Sequence, residues 1–229
     1  MKNRFEVIRQ HFEKEAILFD KFFFKVAPHY EKMMSALIDA LPFKKQDRLK
    51  VLDLGCGTGN LSKKIISAYP NAMITCVDMA ENMLKMARAK LKDNNNIKFW
   101  LGDIRDFDYS EKYDAIVASL VLHHVERRDK LRFYRKIQNA LSKKGIFLCM
   151  DIFLSSNMHL QKLHMDKWKE FMRRNALPIK KINDMIRRHH REDRPVVFED
   201  ELNIMRKAGF KQVEVIMKQY NFALYGGGK

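Results

Sequence analysis

The sequence predicts a doubly wound α/β fold with a seven-stranded, mostly parallel sheet and an antiparallel hairpin at its C-terminal end. Three observations predict it. Short apolar runs alternate with amphipathic helical stretches between residues 49 and 150, which is the pattern of successive βαβ units. The first run, Val51-Leu52-Asp53-Leu54, passes into glycines at 55, 57 and 59 and then into a helical pattern from Leu61. That order of strand, tight loop and helix is where such sheets hold nucleotide-like ligands. The last stretches, Gln212 to Met217 and Tyr220 to Tyr225, are strand-like and close enough to pair as a hairpin.

Residues 1–45 read as a helical cover. Phe5, Ile8, Phe12, Ile17, Phe19 and Phe22 recur at roughly helical spacing. Phe22-Phe23-Phe24 is too aromatic for an exposed face and is expected to pack on the domain or lid the site. Pro28 interrupts the pattern, a second helix spans Tyr30 to Leu41, and Pro42 closes it. The main domain is 46–229. Its first strand is Leu49 to Leu54, followed by a helix from Asn60 to Tyr69 and a Pro70-Asn71 turn. Strand two is Met73 to Val77, ending at Asp78, and Glu81 to Lys92 is amphipathic with Met83, Leu84, Ala87 and Leu91 inward. Strand three is Ile97 to Leu101 and strand four is Tyr113 to Ala118. A basic amphipathic helix runs from Glu126 to Leu141, and strand five is Ile146 to Met150 with Asp151 at its carboxyl end.

Alternation then stops. Residues 152–195 form a helical insert, with eleven Lys/Arg against five Asp/Glu between Ser155 and Arg194, and Pro178 divides it into two helices. Placed after strand five, it is expected to lie over the site as a lid. Its cations, Arg187 and Arg188 among them, are candidates for an acidic acceptor, and Trp168 is a candidate for contact with its body. A last helix runs to Ala208 with Gly209 as its C-cap, and the tail Gly226-Gly227-Gly228-Lys229 is expected to fray.

Bulk properties narrow the function. A chain of 229 residues suits one sizeable α/β domain. No apolar run approaches the ~20 residues of a membrane span, and the first residues lack the apolar core of a secretory signal. Cys56, Cys76 and Cys149 are far apart and lie in or beside strands, which suits buried free thiols in a cytoplasmic protein. No His, Cys, Asp or Glu set has metal-ligand spacing, so no metal is expected. The net charge of +16 admits an anionic partner, RNA included. A homodimer is left open.

The glycine loop carries the chemistry. Its spacing is G-x-G-x-G, neither the G-x-G-x-x-G of dinucleotide binders nor a P-loop, and Asp53 beside it would repel a pyrophosphate. An acid there suits a ligand with positive charge. Asp53-Leu54-Gly55-Cys56-Gly57-Thr58-Gly59 resembles the first motif of the class I S-adenosylmethionine-dependent methyltransferases, a family with a Rossmann-like sheet. The resemblance implies that Asp53, Gly55, Cys56, Gly57 and Gly59 face the methionine and ribose parts of S-adenosylmethionine. It implies that Asp78 accepts from both ribose hydroxyls and that Met79 lies against the adenine. It also implies that Asp103 and Ile104 meet the adenine edge, and that Ser119 opens the segment facing the sulfonium. In that segment His123 and His124 are candidate proton acceptors, with Asp151 a third. Tyr30, on the leading helices that cover the cofactor in this family, is a candidate acceptor contact.

The layout also resembles the branch holding carboxy-S-adenosylmethionine synthase and the tRNA wobble-uridine enzymes. Phe24-Lys25-Val26-Ala27-Pro28-His29-Tyr30, Gly102-Asp103-Ile104-Arg105-Asp106, and an insert before Ala208-Gly209-Phe210 carry it. The ordinary glycine loop and the His123-His124 pair depart from the synthase and favour plain methyl transfer. The expected acceptor is a small, anionic molecule, with RNA as the alternative.

Overall fold

The computed structural model describes residues 4–229, so the first three residues of the expected 1–45 cover lie outside the described residues. The chain opens with α1 (Arg4–Glu15), a 3₁₀ turn, α2 (Phe19–Phe23) and α3 (Tyr30–Asp39). Tyr30, Met33, Met34 and Leu37, spaced i, i+3, i+4 and i+7, form the buried stripe of α3. The alternating part comes next as β1 (Lys50–Leu54), α4 (Asn60–Ala68), β2 (Met73–Asp78), α5 (Glu81–Lys90), β3 (Ile97–Leu101), β4 (Tyr113–Ser119), α6 (Arg127–Ala140) and β5 (Leu141–Ile152). Then come α7 (Met158–Arg174), α8 (Ile179–Glu192), α9 (Phe198–Ala208), β6 (Lys211–Gln219) and β7 (Phe222–Gly228).

The seven strands lie in the order β3-β2-β1-β4-β5-β7-β6, parallel through β5 and antiparallel at β7 and β6. Strand order reverses between β1 and β4, so the loops after both open into the same crevice. Residues alternate strictly between the two faces. Val51, Ile74, Val117 and Leu148 join the layer that includes α3, α4, α7 and α8. Leu52, Val77, Ile116 and Phe147 join the layer of α6 and α9. A run apolar at every position is therefore buried on both faces.

Two sequence expectations need correction. β5 begins at Leu141 rather than Ile146, because Leu141 already pairs with Tyr113, and a register shift before the Ala115–Ile146 pair leaves Ser142 to Gly145 as a bulge between the two paired stretches. The glycine tail does not fray. Gly226, Gly227 and Gly228 pair with Leu148, Phe147 and Ile146 of β5, and Gly226 also pairs across β6. A Cβ built on Gly226 would sit 2.2 Å from the Phe147 carbonyl oxygen, so glycine is used here for close backbone approach.

After β5 the insert turns back over the crevice. Asn157 caps α7, its Oδ1 accepting from the Leu160 N–H at 3.1 Å. Pro178 starts α8. The Trp168 indole N–H of α7 donates to the Val26 carbonyl at 2.7 Å, tying the insert to the segment between α2 and α3. Among the described residues, no helix is long and apolar enough to cross a membrane.

Candidate functional site

The crevice at the carboxyl ends of β1, β2 and β4 is roofed by α1, α2, α7 and α8, and the enclosed cavity is the candidate site. Its floor is the glycine loop. Gly55, Gly57 and Gly59 all have positive φ, between 54° and 80°, which glycine adopts without steric cost. A Cβ on Gly57 would meet nothing within 4 Å, so this backbone is bare toward the cavity. Gly59 is different. It lies outside the cavity wall, and a Cβ there would come within 3.0 Å of Leu91 and 3.2 Å of Ala87. The missing side chain at Gly59 lets α4 pack on α5.

Three carboxylates line the floor. Asp53 is fully buried, its Oδ2 accepting from Ser62 Oγ at 2.5 Å while Oδ1 has no partner. Burial, aided by the charge of Asp78, pushes its pKa up to about 7. Asp78 accepts from the Gly57 N–H at 2.8 Å and the Ala80 N–H at 2.9 Å. Burial outweighs those bonds and raises its pKa to about 6. Asp103 accepts from the Arg105 main-chain N–H and guanidinium. Arg105 in turn lies 3.4 Å from the centroid of the Phe5 ring of α1. Cys56, Met79, Ile104 and Ser119 line the cavity as well, with Ser119 Oγ donating to Tyr30 Oη at 3.3 Å.

The far end holds the histidines. The His123 main-chain N–H donates to Asp151 Oδ2 at 2.9 Å, and its ring Nδ1 sits 2.5 Å from Oδ1. Nε2 is thereby left toward the cavity, 3.7 Å from Asp193 Oδ1. Burial alone would lower the His123 pKa, but Asp151 and Asp193 outweigh it and the value is raised. Asp151 is held low, since His123 overcomes the effect of its burial. His124 behaves oppositely. Burial and then the neighbouring His123 push it down to about 3, and both its ring nitrogens are buried without a hydrogen-bond partner.

These positions revise several expectations. Asp151 stands behind His123 and outside the cavity wall, so it can orient His123 but cannot touch an acceptor. Arg187 is exposed and paired with Asp184 on the outside of α8. Arg188 does line the cavity but is engaged by Glu15 at 3.1 Å and by His11. Trp168 is in the wall, packed edge-on against His189 and Phe222. No metal set is readable from spacing, yet the fold gathers His123, His124 and Asp193, with one ligand atom of each lying within 4.8 Å of the others. Asp193 lies 69 positions after His124, which hides the grouping in the sequence.

Other features in and beside the cavity were not read from the sequence. Asp20 of α2 accepts from Thr58 Oγ1 at 2.5 Å, Asn60 Nδ2 at 2.9 Å and Lys90 Nζ at 2.7 Å, pinning the cover to the glycine loop. A lone acid inside the aromatic run Phe19 to Phe24 was the available signal. His11 and Glu15 of α1 also line the cavity.

Comparison with known proteins agrees with this geometry. Residues 51–145 match the methyltransferase domain family. Over 214 residues the chain is 25% identical to a carboxy-S-adenosyl-L-methionine synthase of Nautilia profundicola, covering 93% of this chain and 91% of the relative. It is 32% identical to a malonyl-[acyl-carrier protein] O-methyltransferase of Acetivibrio thermocellus, covering 50% of this chain but 38% of that protein. Among solved structures, PigF with SAH superposes over 100% of this chain and 62% of its own, with a TM-score of 0.68 at 19% identity, a likeness of fold. With its glycine loop and acids at the strand tips, the chain carries a methyltransferase domain match over residues 51–145 and is similar to the class I S-adenosylmethionine-dependent methyltransferases.

Proposed function

We propose that the acceptor is a small molecule with a flat, apolar body, neutral or cationic, whose nucleophilic atom sits at the His123-His124 end of the cavity. The observation that carries this is the composition of the cavity wall. Between floor and histidines it is aromatic, with Phe12, Phe19, Phe23, Tyr30, Trp168 and Phe222. Its acids, Glu15, Asp53, Asp78, Asp103, Glu192 and Asp193, outnumber its arginines, Arg105 and Arg188, and both arginines are already paired. The anionic acceptor suggested by the basic insert therefore loses its support, because the insert's free cations lie elsewhere.

The floor residues suit the cofactor of the family. Asp53 Oδ1 lacks a partner, Gly57 is bare, and the Asp78 carboxylate stands at the tip of β2. We assign Asp53 to the ammonium end, Asp78 to the ribose hydroxyls, and Met79, Asp103 and Ile104 to the adenine. When bound, S-adenosylmethionine supplies a methyl group on a sulfonium, already a good leaving group. The protein then has mainly to hold acceptor and methyl aligned. Aromatic walls orient the acceptor and exclude water. His123, fixed by Asp151, turns Nε2 toward the end of the cavity where the nucleophilic atom would sit.

The test is a panel. S-adenosylhomocysteine formation is measured with phenols, aryl amines, short carboxylates and unmodified tRNA. Turnover with neutral or cationic aromatics is expected. Turnover confined to carboxylates, or to tRNA with steep salt dependence, overturns the assignment.

A further inference from the structure

We propose that His123, His124 and Asp193 form a binding site for one divalent transition-metal ion, placed at the acceptor end of the cavity. The ligand atoms are in range. Asp193 Oδ1 lies 3.7 Å from His123 Nε2 and 3.3 Å from His124 Nδ1. Two bonds of about 2.1 Å meeting at a tetrahedral angle separate their ligand atoms by roughly 3.4 Å. All three donors bound the cavity, so coordination positions remain open on that side. Two imidazoles and one carboxylate with open positions suit Zn²⁺ or Fe²⁺ rather than Mg²⁺ or Ca²⁺.

The surroundings have the form of a metal site's outer shell. Asp151 holds His123 Nδ1 at 2.5 Å and leaves Nε2 as the free donor, the carboxylate–histidine arrangement that orients metal ligands. His189 Nδ1 holds the other oxygen of Asp193 at 2.7 Å. The two ligand segments are cross-tied by the backbone. The Arg194 N–H donates to the His123 carbonyl at 2.8 Å, and Arg4 donates to the carbonyls of His124 at 2.8 Å and Glu192 at 2.6 Å. Such ties hold ligands in place before the ion arrives. His124 supplies the second, independent observation. Both its ring nitrogens are buried with no hydrogen-bond partner, a state that native proteins rarely leave without a ligand. An ion there would polarise a hydroxyl or amine brought to the same end of the cavity. That last consequence rests on the proposed acceptor position; the metal affinity does not.

The experiment uses the full chain without a polyhistidine tag, stripped with chelator and titrated with Co²⁺, followed by visible ligand-field absorption, then with Zn²⁺ in competition. One equivalent should bind, with Zn²⁺ displacing Co²⁺. His124→Asn and Asp193→Asn should each weaken binding at least tenfold, and Asp151→Asn by roughly ten- to a hundredfold. His190→Ala, at an exposed histidine of α8, should bind as the native chain does. Binding of S-adenosylhomocysteine, measured in parallel, reports that each variant is folded. Absence of a Co²⁺ spectrum in the native chain, or a spectrum unchanged in folded His124→Asn and Asp193→Asn proteins, overturns the proposal. Failure of the native chain to bind S-adenosylhomocysteine would instead count against the cofactor-site assignment, leaving the metal result to be read by itself.

Discussion

Two buried polar clusters lie close together on the carboxyl side of this sheet, and they are built for opposite ends. In one, the Lys130 ammonium donates to Glu201 Oε1 at 2.8 Å and to the Leu122 carbonyl at 3.0 Å. Tyr134 donates to the same oxygen, and Tyr225 joins both. None of these four side chains touches the cavity. In the other, His123, His124 and Asp193 form part of the cavity wall and the ring nitrogens of His124 have no hydrogen-bond partner. Glu201 Oε2 is also unpartnered, so a missing partner does not by itself mark a site. What separates the clusters is where the spare valence points: into packed protein in one case, into enclosed space in the other. The first locks α6, α9 and β7 together. The second is a reagent end.

The contrast can be broken by exchanging charge for none. Lys130→Met leaves Glu201 buried without its cation, and should cost about 3–5 kcal/mol. On chemical denaturation that is a lower midpoint, and on heating a Tm lower by roughly 6–20 °C, with S-adenosylhomocysteine affinity of the folded fraction unchanged. A change in affinity instead would make this cluster part of the site. Next in size is Asp78→Asn on the cavity floor. Losing charged hydrogen bonds of about 1.5–3 kcal/mol should weaken S-adenosylhomocysteine binding by roughly ten- to 150-fold in calorimetric titration, with little effect on the melting of the unliganded chain. Unaltered affinity would remove Asp78 from the cofactor site.

Asp151→Asn sharpens the distinction between touching and orienting. S-adenosylhomocysteine binding should persist while turnover falls roughly ten- to a hundredfold. Equal loss in both would make Asp151 part of the fold rather than of the catalytic end. The smallest effect comes from pH. Asp53 and Asp78 titrate near 7 and 6 in the folded chain, above the ~3.9 of a free Asp. The native unliganded state therefore binds more protons than the unfolded one, and these two groups take stability away as pH rises from about 4 to 7. A ligand with an ammonium and ribose hydroxyls favours the charged forms. Its affinity should rise, within about tenfold, between pH 5.5 and 7.5. Affinity falling over that window would contradict the assignment.

Much of the floor was legible. The strand ends, the glycine loop and the acids at 53, 78 and 103 fall where the period of two and the turn residues put them, because each belongs to one local βα unit. Asp103 was readable in position but not in its engagement by Arg105. The roof was harder, since it joins segments far apart in the chain. Nothing local links Asp193 to His124, or Asp20 to Thr58. Arg187 was avoidable. Ile182, Met185 and His189 set the inward face of α8, and at about 100° per residue Arg187 falls nearly opposite it while Arg188 falls at its flank. Sequence charge counted the cations; only the helix phase says where they point.

One feature of the sheet bears on how the chain comes together. β7, last in sequence among the strands, lies inside the sheet between β5 and β6. During synthesis, β5 keeps one hydrogen-bonding edge open until that segment has been made, and β6 has no neighbour until then. Tyr225, which completes the Lys130–Glu201 cluster, arrives on the same strand. The order of manufacture thus holds back the sealing step until β7 has been made, and an intermediate without it carries an exposed strand edge of the kind that chaperones shield and that aggregation exploits.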